Sequence, residues 1–177
     1  APMGEDYVAK VKEGFENRWI DVYENEGKRS GAYSAGTFGV HPYVLLNHND
    51  NLSSMFTLAH EMGHAMHSYY SNTTQPYVYS HYVIFVAEVA SICNEMLLMD
   101  YLLKNTEDKK ERAYLLNHFC EKFRGTMYRQ TMFAEYELKT NQMVEAGVSL
   151  TSENLTKLYA ELNAKYYGPD VITDREI

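Results

Sequence analysis

Apolar residues recur at helical spacing over most of the chain, with one interruption near the front. From Glu5 to about Asn17, Tyr7, Val8, Val11 and Phe15 share a face, which predicts an amphipathic helix. Arg18 to Tyr23 is apolar-rich and reads as a helix extension or the start of a strand. Between Gly27 and Gly39 the composition turns to Gly and Ser. Ala32–Ala35 and Tyr43–Asn47 are the best strand candidates, and Gly36, Gly39 and Pro42 lie between them. Together they predict a short β ribbon over about residues 31–47. The helical period then returns. Met55, Phe56, Leu58, Ala59, Met62 and Met66 supply an apolar face after Asn51 or Ser53 as cap, giving a helix over about 52–70. Ser71 to His81, with Thr73, Thr74 and Pro76, breaks the pattern. Three further helices follow: about 82–104, a long one over about 107–146 stopped by Gly147, and about 152–166 before Gly168-Pro169. The chain is therefore mainly α, with a β ribbon ahead of its first long helix. Neither a repeat nor a linker-like run divides it, so residues 1–177 read as a single region.

Composition changes the picture little. Of 177 residues, 45% are hydrophobic and 23% charged, a balance that excludes disorder and low-complexity classes. No apolar run approaches the ~18–20 residues of a spanning helix, so no membrane partner is expected. Sixteen Lys and Arg stand against 24 Asp and Glu, for a net charge of −8, and this weighs against nucleic acid as a partner. Cys93 and Cys120 lie in apolar-periodic stretches and are expected to be buried free thiols. Such thiols, with no leader segment, point to the reducing cytoplasm. The opening Ala1-Pro2-Met3-Gly4 and the closing Asp174-Arg175-Glu176-Ile177 suggest a piece of a longer protein.

One segment carries chemistry: His60-Glu61-Met62-Gly63-His64, an H-E-x-x-H. On an α-helix, residues i and i+4 lie ~40° apart and one turn apart, so both imidazoles project from one face and can share a metal ion. Glu61 stands ~100° away from His60, within reach of a metal-bound water as a general base. A short motif also arises by chance, but this one sits in the helical, apolar-rich context that the chemistry requires.

A catalytic zinc needs a third protein ligand and one open position. His67 shares the face, but three ligands on one straight helix lie nearly in a row. Glu88 is the stronger candidate, a carboxylate among Ile84, Phe85, Val86, Ala87, Val89, Ala90 and Ile92. Such a group is costly unless it is paired with a cation or coordinated. Glu95, seven residues on, faces the same way and is placed either to accept the second ring N–H of a ligating His or to remain solvated. Glu61-Met62-Gly63-His64 also reads as E-x-x-H, the unit of di-iron bundles, but no other Glu has His three residues on.

The stretch His60 to Ser68 resembles the zinc motif of the thimet-oligopeptidase-like (M3) metallopeptidases, with the oligoendopeptidase F branch nearest. Arg29-Ser30-Gly31-Ala32-Tyr33-Ser34, Phe85-Val86-Ala87-Glu88-Val89-Ala90-Ser91, Asn94-Glu95 and Arg129-Gln130-Thr131-Met132-Phe133-Ala134-Glu135 extend it over nearly the whole chain. The resemblance implies a multi-helix, zincin-like catalytic region holding one Zn²⁺ per chain on His60, His64 and Glu88. Glu61 would then be the general base and Glu95 the supporting acidic residue. It further implies an endopeptidase acting on internal bonds of short peptides, with Ala32 and Tyr33 pairing with the substrate backbone. Family members are longer. They carry a helical part before this region and a Tyr- and His-bearing segment after it, which is thought to stabilise the oxyanion. An isolated fragment is then expected to lack full activity. The competing class is a non-catalytic helical module whose structural zinc is closed by His67, His81 or a Cys.

Overall fold

Glu5 and Asp6 open the first helix, α1 (Glu5–Glu16), where acidic side chains suit the positive end of the helix dipole. Its Gly14 lies against the next element: a Cβ there would stand 3.0 Å from a Trp19 ring carbon. This is the start of the computed structural model, which describes residues 2–171. The described chain is mainly helical, as the periodicity predicts, with a small sheet before the His-bearing helix. It separates into two compact units between Glu107 and Asp108, each of which is considered by itself.

In the first unit the ambiguous Arg18–Tyr23 stretch resolves to strand. β1 (Ile20–Asp21) runs parallel to β3 (Tyr43–Leu45), and β2 (Tyr33–Ala35) runs antiparallel to β3 on the other side. The order is β1-β3-β2, so the predicted ribbon gains a third strand and β2 is left as an edge. Alternation along β3 turns Val44 and, just after it, Leu46 into the core, where they pack on Met62 and Ala65. His41 is half-buried, its ring stacked parallel to Trp19 at 5.2 Å.

Met62 and Ala65 belong to α2 (Leu52–Thr74), capped by the Asn51 side chain, which accepts from the Ser54 amide at 2.9 Å. The helix runs past the predicted break at Ser71. The hydroxyls of Thr73 and Thr74 donate to the carbonyls of Tyr69 and Tyr70, at 2.9 and 2.6 Å, so these polar side chains are satisfied within the helix. A 3-10 turn at Tyr77–Tyr79 leads to α3 (Ile84–Asn105). Contacts pair Ala59 with Asn94, Gly63 with Ser91 and Ser68 with Tyr82, so α2 and α3 are antiparallel neighbours. Met62 and Met66 of α2 and Met99 of α3 are buried. Cys93, expected buried, is exposed on α3; it falls on the face turned away from α2.

The second unit holds the predicted long helix in three parts: α4 (Lys109–Phe123), a π-helical turn over Arg124–Tyr128 and α5 (Arg129–Glu145). The π turn inserts an extra residue into the ladder at Gly125, a poor helix former. Cys120 is likewise exposed rather than buried. Gly147, with φ of +75°, ends α5 as predicted. α6 (Ser152–Tyr167) packs Leu158 and Leu162 on Met132 of α5. Glu135 on α5 accepts from Lys165 at 2.6 Å and from the Tyr166 hydroxyl at 2.7 Å.

This packing carries three predictions. A Cβ at Gly63 would stand 2.7 Å from Ser91 Cα and 2.9 Å from the Ala90 carbonyl oxygen, both backbone atoms. Gly63→Ala should therefore destabilise the fold by about 1–3 kcal/mol, read by denaturant unfolding. Gly125→Ala, which meets no atom within 4 Å, should be neutral or stabilising in the same denaturation assay. Hydrogen bonds from Lys165 and then Tyr166 hold the Glu135 carboxyl down at about 2. Because the folded value lies below the unfolded one, this stabilisation is complete above the ordinary value of 4.5 and fades as pH falls toward 2. Glu135→Gln should thus weaken the α5–α6 pairing at pH 7 and change little at pH 2, read by unfolding midpoints across that range.

Candidate metal centre

α2 presents His60 and His64 one turn apart toward α3, their rings nearly perpendicular with centroids 4.7 Å apart. The two Nε2 atoms are 3.1 Å apart. Glu88, in the second turn of α3, brings Oε2 to 3.5 Å from His60 Nε2 and Oε1 to 3.7 Å from His64 Nε2. One donor atom from each of the three lies within 4.8 Å of the others. Among the described residues this is the one cluster of three or more His, Cys, Asp or Glu with such geometry.

The surroundings fix the state of each imidazole. Glu95, only 1% exposed, meets His60 Nδ1 at 2.5 Å. A carboxylate there requires Nδ1 to carry the proton, which leaves the Nε2 lone pair pointing at the centre. Burial, then the neighbouring His60, push the His64 pKa down, which favours the neutral ring. The Ala87 backbone carbonyl takes a hydrogen bond from its ring. With Nε2 against His60, that bond belongs to Nδ1–H, and the His64 lone pair also faces inward. In these tautomers two imidazole lone pairs and a carboxylate converge on one point. Like partial charges at this range repel unless a cation sits among them, so the donor set fits a divalent ion of the Zn²⁺ type.

Glu61 projects beside this cluster. It is 6% exposed, and its Oε2 has no hydrogen-bond partner. Burial raises its pKa; His60 works against this, Glu88 and Glu95 add to it, and a hydrogen bond from the Ser34 backbone on β2 again works against it. The edge strand thus abuts the Glu61 carboxylate. Tyr33 is exposed on that strand, and Ala32 packs partly against the sheet core.

Other expectations sort plainly. His67 stays out of the cluster, its ring stacked on Tyr82 at 3.8 Å. His81, Cys93 and Cys120 are also outside it. The reason given by sequence for Glu88 needs correction. Most of its apolar neighbours are not buried around it: Phe85 is 82% exposed, only Ala87 of the run is in the core, and the Glu88 side chain itself is 43% exposed. Apart from Ala87 the run faces outward or is half-buried, and Glu88 stands opposite the His pair without being enclosed by it.

Three contributors escaped sequence reasoning. Asn94 donates to the Ala59 carbonyl at 3.2 Å and hydrogen-bonds the Tyr7 hydroxyl, tying α1 to the turn of α2 that precedes His60. Ser91 donates toward Glu88 at 3.0 Å. The only signal for Ser91 was a lone hydroxyl three residues past Glu88. The Ser34 amide has no sequence signal at all, because any residue offers that donor.

The model of peptidase family M3 matches residues 2–177. An oligopeptidase named PepF from Bacillus subtilis is 56% identical over the whole chain, which covers 26% of that protein. A solved structure from Chlamydophila abortus superposes with a TM-score of 0.77 at 44% identity, over 97% of this chain and 29% of that one. Oligoendopeptidase-F from Enterococcus faecium matches 71% of this chain, and 22% of its own length, at 49% identity and a TM-score of 0.57. The chain therefore spans between a fifth and a third of these relatives.

The converging donors carry a direct expectation. Titration with Zn²⁺ should saturate at one ion per chain, read by equilibrium dialysis and elemental analysis. His64→Ala should abolish that binding, while Cys93→Ser, outside the cluster, should leave it unchanged.

Proposed function

The chain belongs to peptidase family M3, and on that premise we propose that it is the metal-carrying part of a zinc-dependent endopeptidase cleaving internal bonds of short peptides. The observation that carries this reading is the convergence of the His60, His64 and Glu88 donor atoms within 4.8 Å, beside a buried Glu61 oxygen that lacks a partner. His60, His64 and Glu88 would hold the ion. When bound, zinc supplies Lewis acidity and makes a water more acidic. Three protein donors leave a position open, as catalytic sites do. A structural site would close on a fourth. Among the described residues His67, His81, Cys93 and Cys120 lie outside the cluster, which favours the catalytic reading.

Glu61 is the general base. Burial raises its pKa, so its carboxylate is a stronger proton acceptor than a solvated one. The hydrogen bond from Ser34 orients it and leaves Oε2 free to take a proton from the attacking water. The same carboxyl then returns a proton to the departing amine. Glu95 supports the site by fixing the His60 tautomer. The free edge of β2 at Ala32 and Tyr33 adds an extended peptide as a further strand, next to Glu61. Oxyanion donors are assigned to parts of the longer protein outside this chain. Removing one such donor typically costs about 10²–10³ in rate, so the isolated chain should bind zinc and turn over slowly. No helix of the described residues is long and apolar enough to cross a membrane. The free thiols suit a cytoplasmic setting.

In the full-length protein, Glu61→Gln should retain zinc and lower kcat for a fluorogenic peptide by about 10²–10⁴. Cleavage at the ordinary rate by that variant would remove Glu61 from the role of base.

A further inference from the structure

We propose that Ser91 is the positioning residue for the Glu88 carboxylate, an inference that rests on the zinc reading of the cluster. Glu88 stands on a half-open side of α3, 43% exposed, with three rotatable bonds. Left to itself, such a side chain spreads over many rotamers in water. Here it lies along its own helix toward the next turn, and the Ser91 hydroxyl meets Oε2 at 3.0 Å.

A serine inside a helix ordinarily bonds the carbonyl three or four residues back, and Ser91 Oγ does lie 3.1 Å from the Glu88 carbonyl oxygen. The hydroxyl has one proton to give. That carbonyl is already engaged in the helix ladder, whereas the carboxylate is an anionic acceptor and forms the stronger, charge-assisted bond. Water cannot compete, because Ser91 is 0% exposed. The seal comes from α2. Gly63 has no side chain, and its missing Cβ would sit 2.7 Å from Ser91 Cα. The helix contact that buries the hydroxyl is thus the same one that sets Glu88 opposite the imidazole pair. With Oε2 tethered, the two carboxylate oxygens are held at 3.5 and 3.7 Å from the two Nε2 atoms.

The test is Ser91→Ala in the full-length protein. Alanine is the best helix former and keeps the close contact with Gly63, so the variant should fold. The control is Ser80→Ala, which removes the same atom from another buried serine, one that donates to Tyr77 and does not touch Glu88. Zinc affinity is measured by chelator competition, and the visible absorption of the Co²⁺ form reports the donor arrangement. Ser91→Ala should weaken zinc binding about tenfold, at the low end of the effect of outer hydrogen-bond partners, and alter the Co²⁺ band. Ser80→Ala should change neither.

Wild-type affinity and an unaltered Co²⁺ band in Ser91→Ala would overturn the proposal and leave the zinc reading intact. Equal losses in both variants, or failure of Ser91→Ala to fold, would overturn it by showing a merely structural hydroxyl. Absence of zinc binding by the wild type would remove the zinc reading, and this inference with it.

Discussion

The close contact of α2 with α3 at Gly63 is the constraint on which the candidate site depends. Backbone meets backbone there, with Ala90 and Ser91 where a side chain would otherwise stand. Because the helices are antiparallel, residues on either side of this contact fall opposite one another in fixed pairs. His60 meets Glu95 and His64 meets Glu88. Any larger residue at 63 would wedge the helices apart at the point where the four polar groups must converge. The glycine is therefore a condition of the geometry and not a weakness in the helix.

Electrostatics works on that frame. Burying carboxylates beside imidazoles costs free energy unless their lone pairs and protons are matched. The back of the site is matched: Glu95 takes the His60 proton, and the Ala87 carbonyl takes that of His64. The front is not, since the inward nitrogens and Glu88 are all acceptors. A folded chain that spends its hydrogen bonds on the far side of each ligand leaves the near side ready for a cation. Glu61 sits at the margin of this region, held from β2 by Ser34, so the sheet and the helix pair meet at a buried carboxylate whose Oε2 has no hydrogen-bond partner. The two sides of the site thus come from different parts of the first unit, sheet on one side and helices on the other.

Much of this was legible in residue order. The His60-Glu61-Met62-Gly63-His64 spacing is a helix property, and so is the capping of α2 by Asn51. Long helical periods gave the helices to within a few residues, because local periodicity is what they are made of. The errors came where burial was inferred from neighbours in sequence. Cys93, Cys120 and most of the apolar run around Glu88 were read as core and are exposed. An apolar stretch marks surface that some partner segment covers, and it does not say whether that segment lies in the same chain. The Ser71 break was misplaced because polar residues of low helix propensity stay helical as far as Thr74, their threonine hydroxyls bonding back to carbonyls one turn earlier.

Sequence alone determined which side chains share a helix face, since a turn of 3.6 residues fixes that without reference to anything else. It also supplied the small residue at position 63 and the acidic candidates on the next helix. Only the tertiary structure decided that β1 joins the sheet, that Ser34 rather than another amide reaches Glu61, and that Glu88 closes the cluster while His67 turns away to Tyr82. Those outcomes depend on distances between segments far apart in the chain, and such distances are set by how two helices and a sheet pack, not by any local spacing.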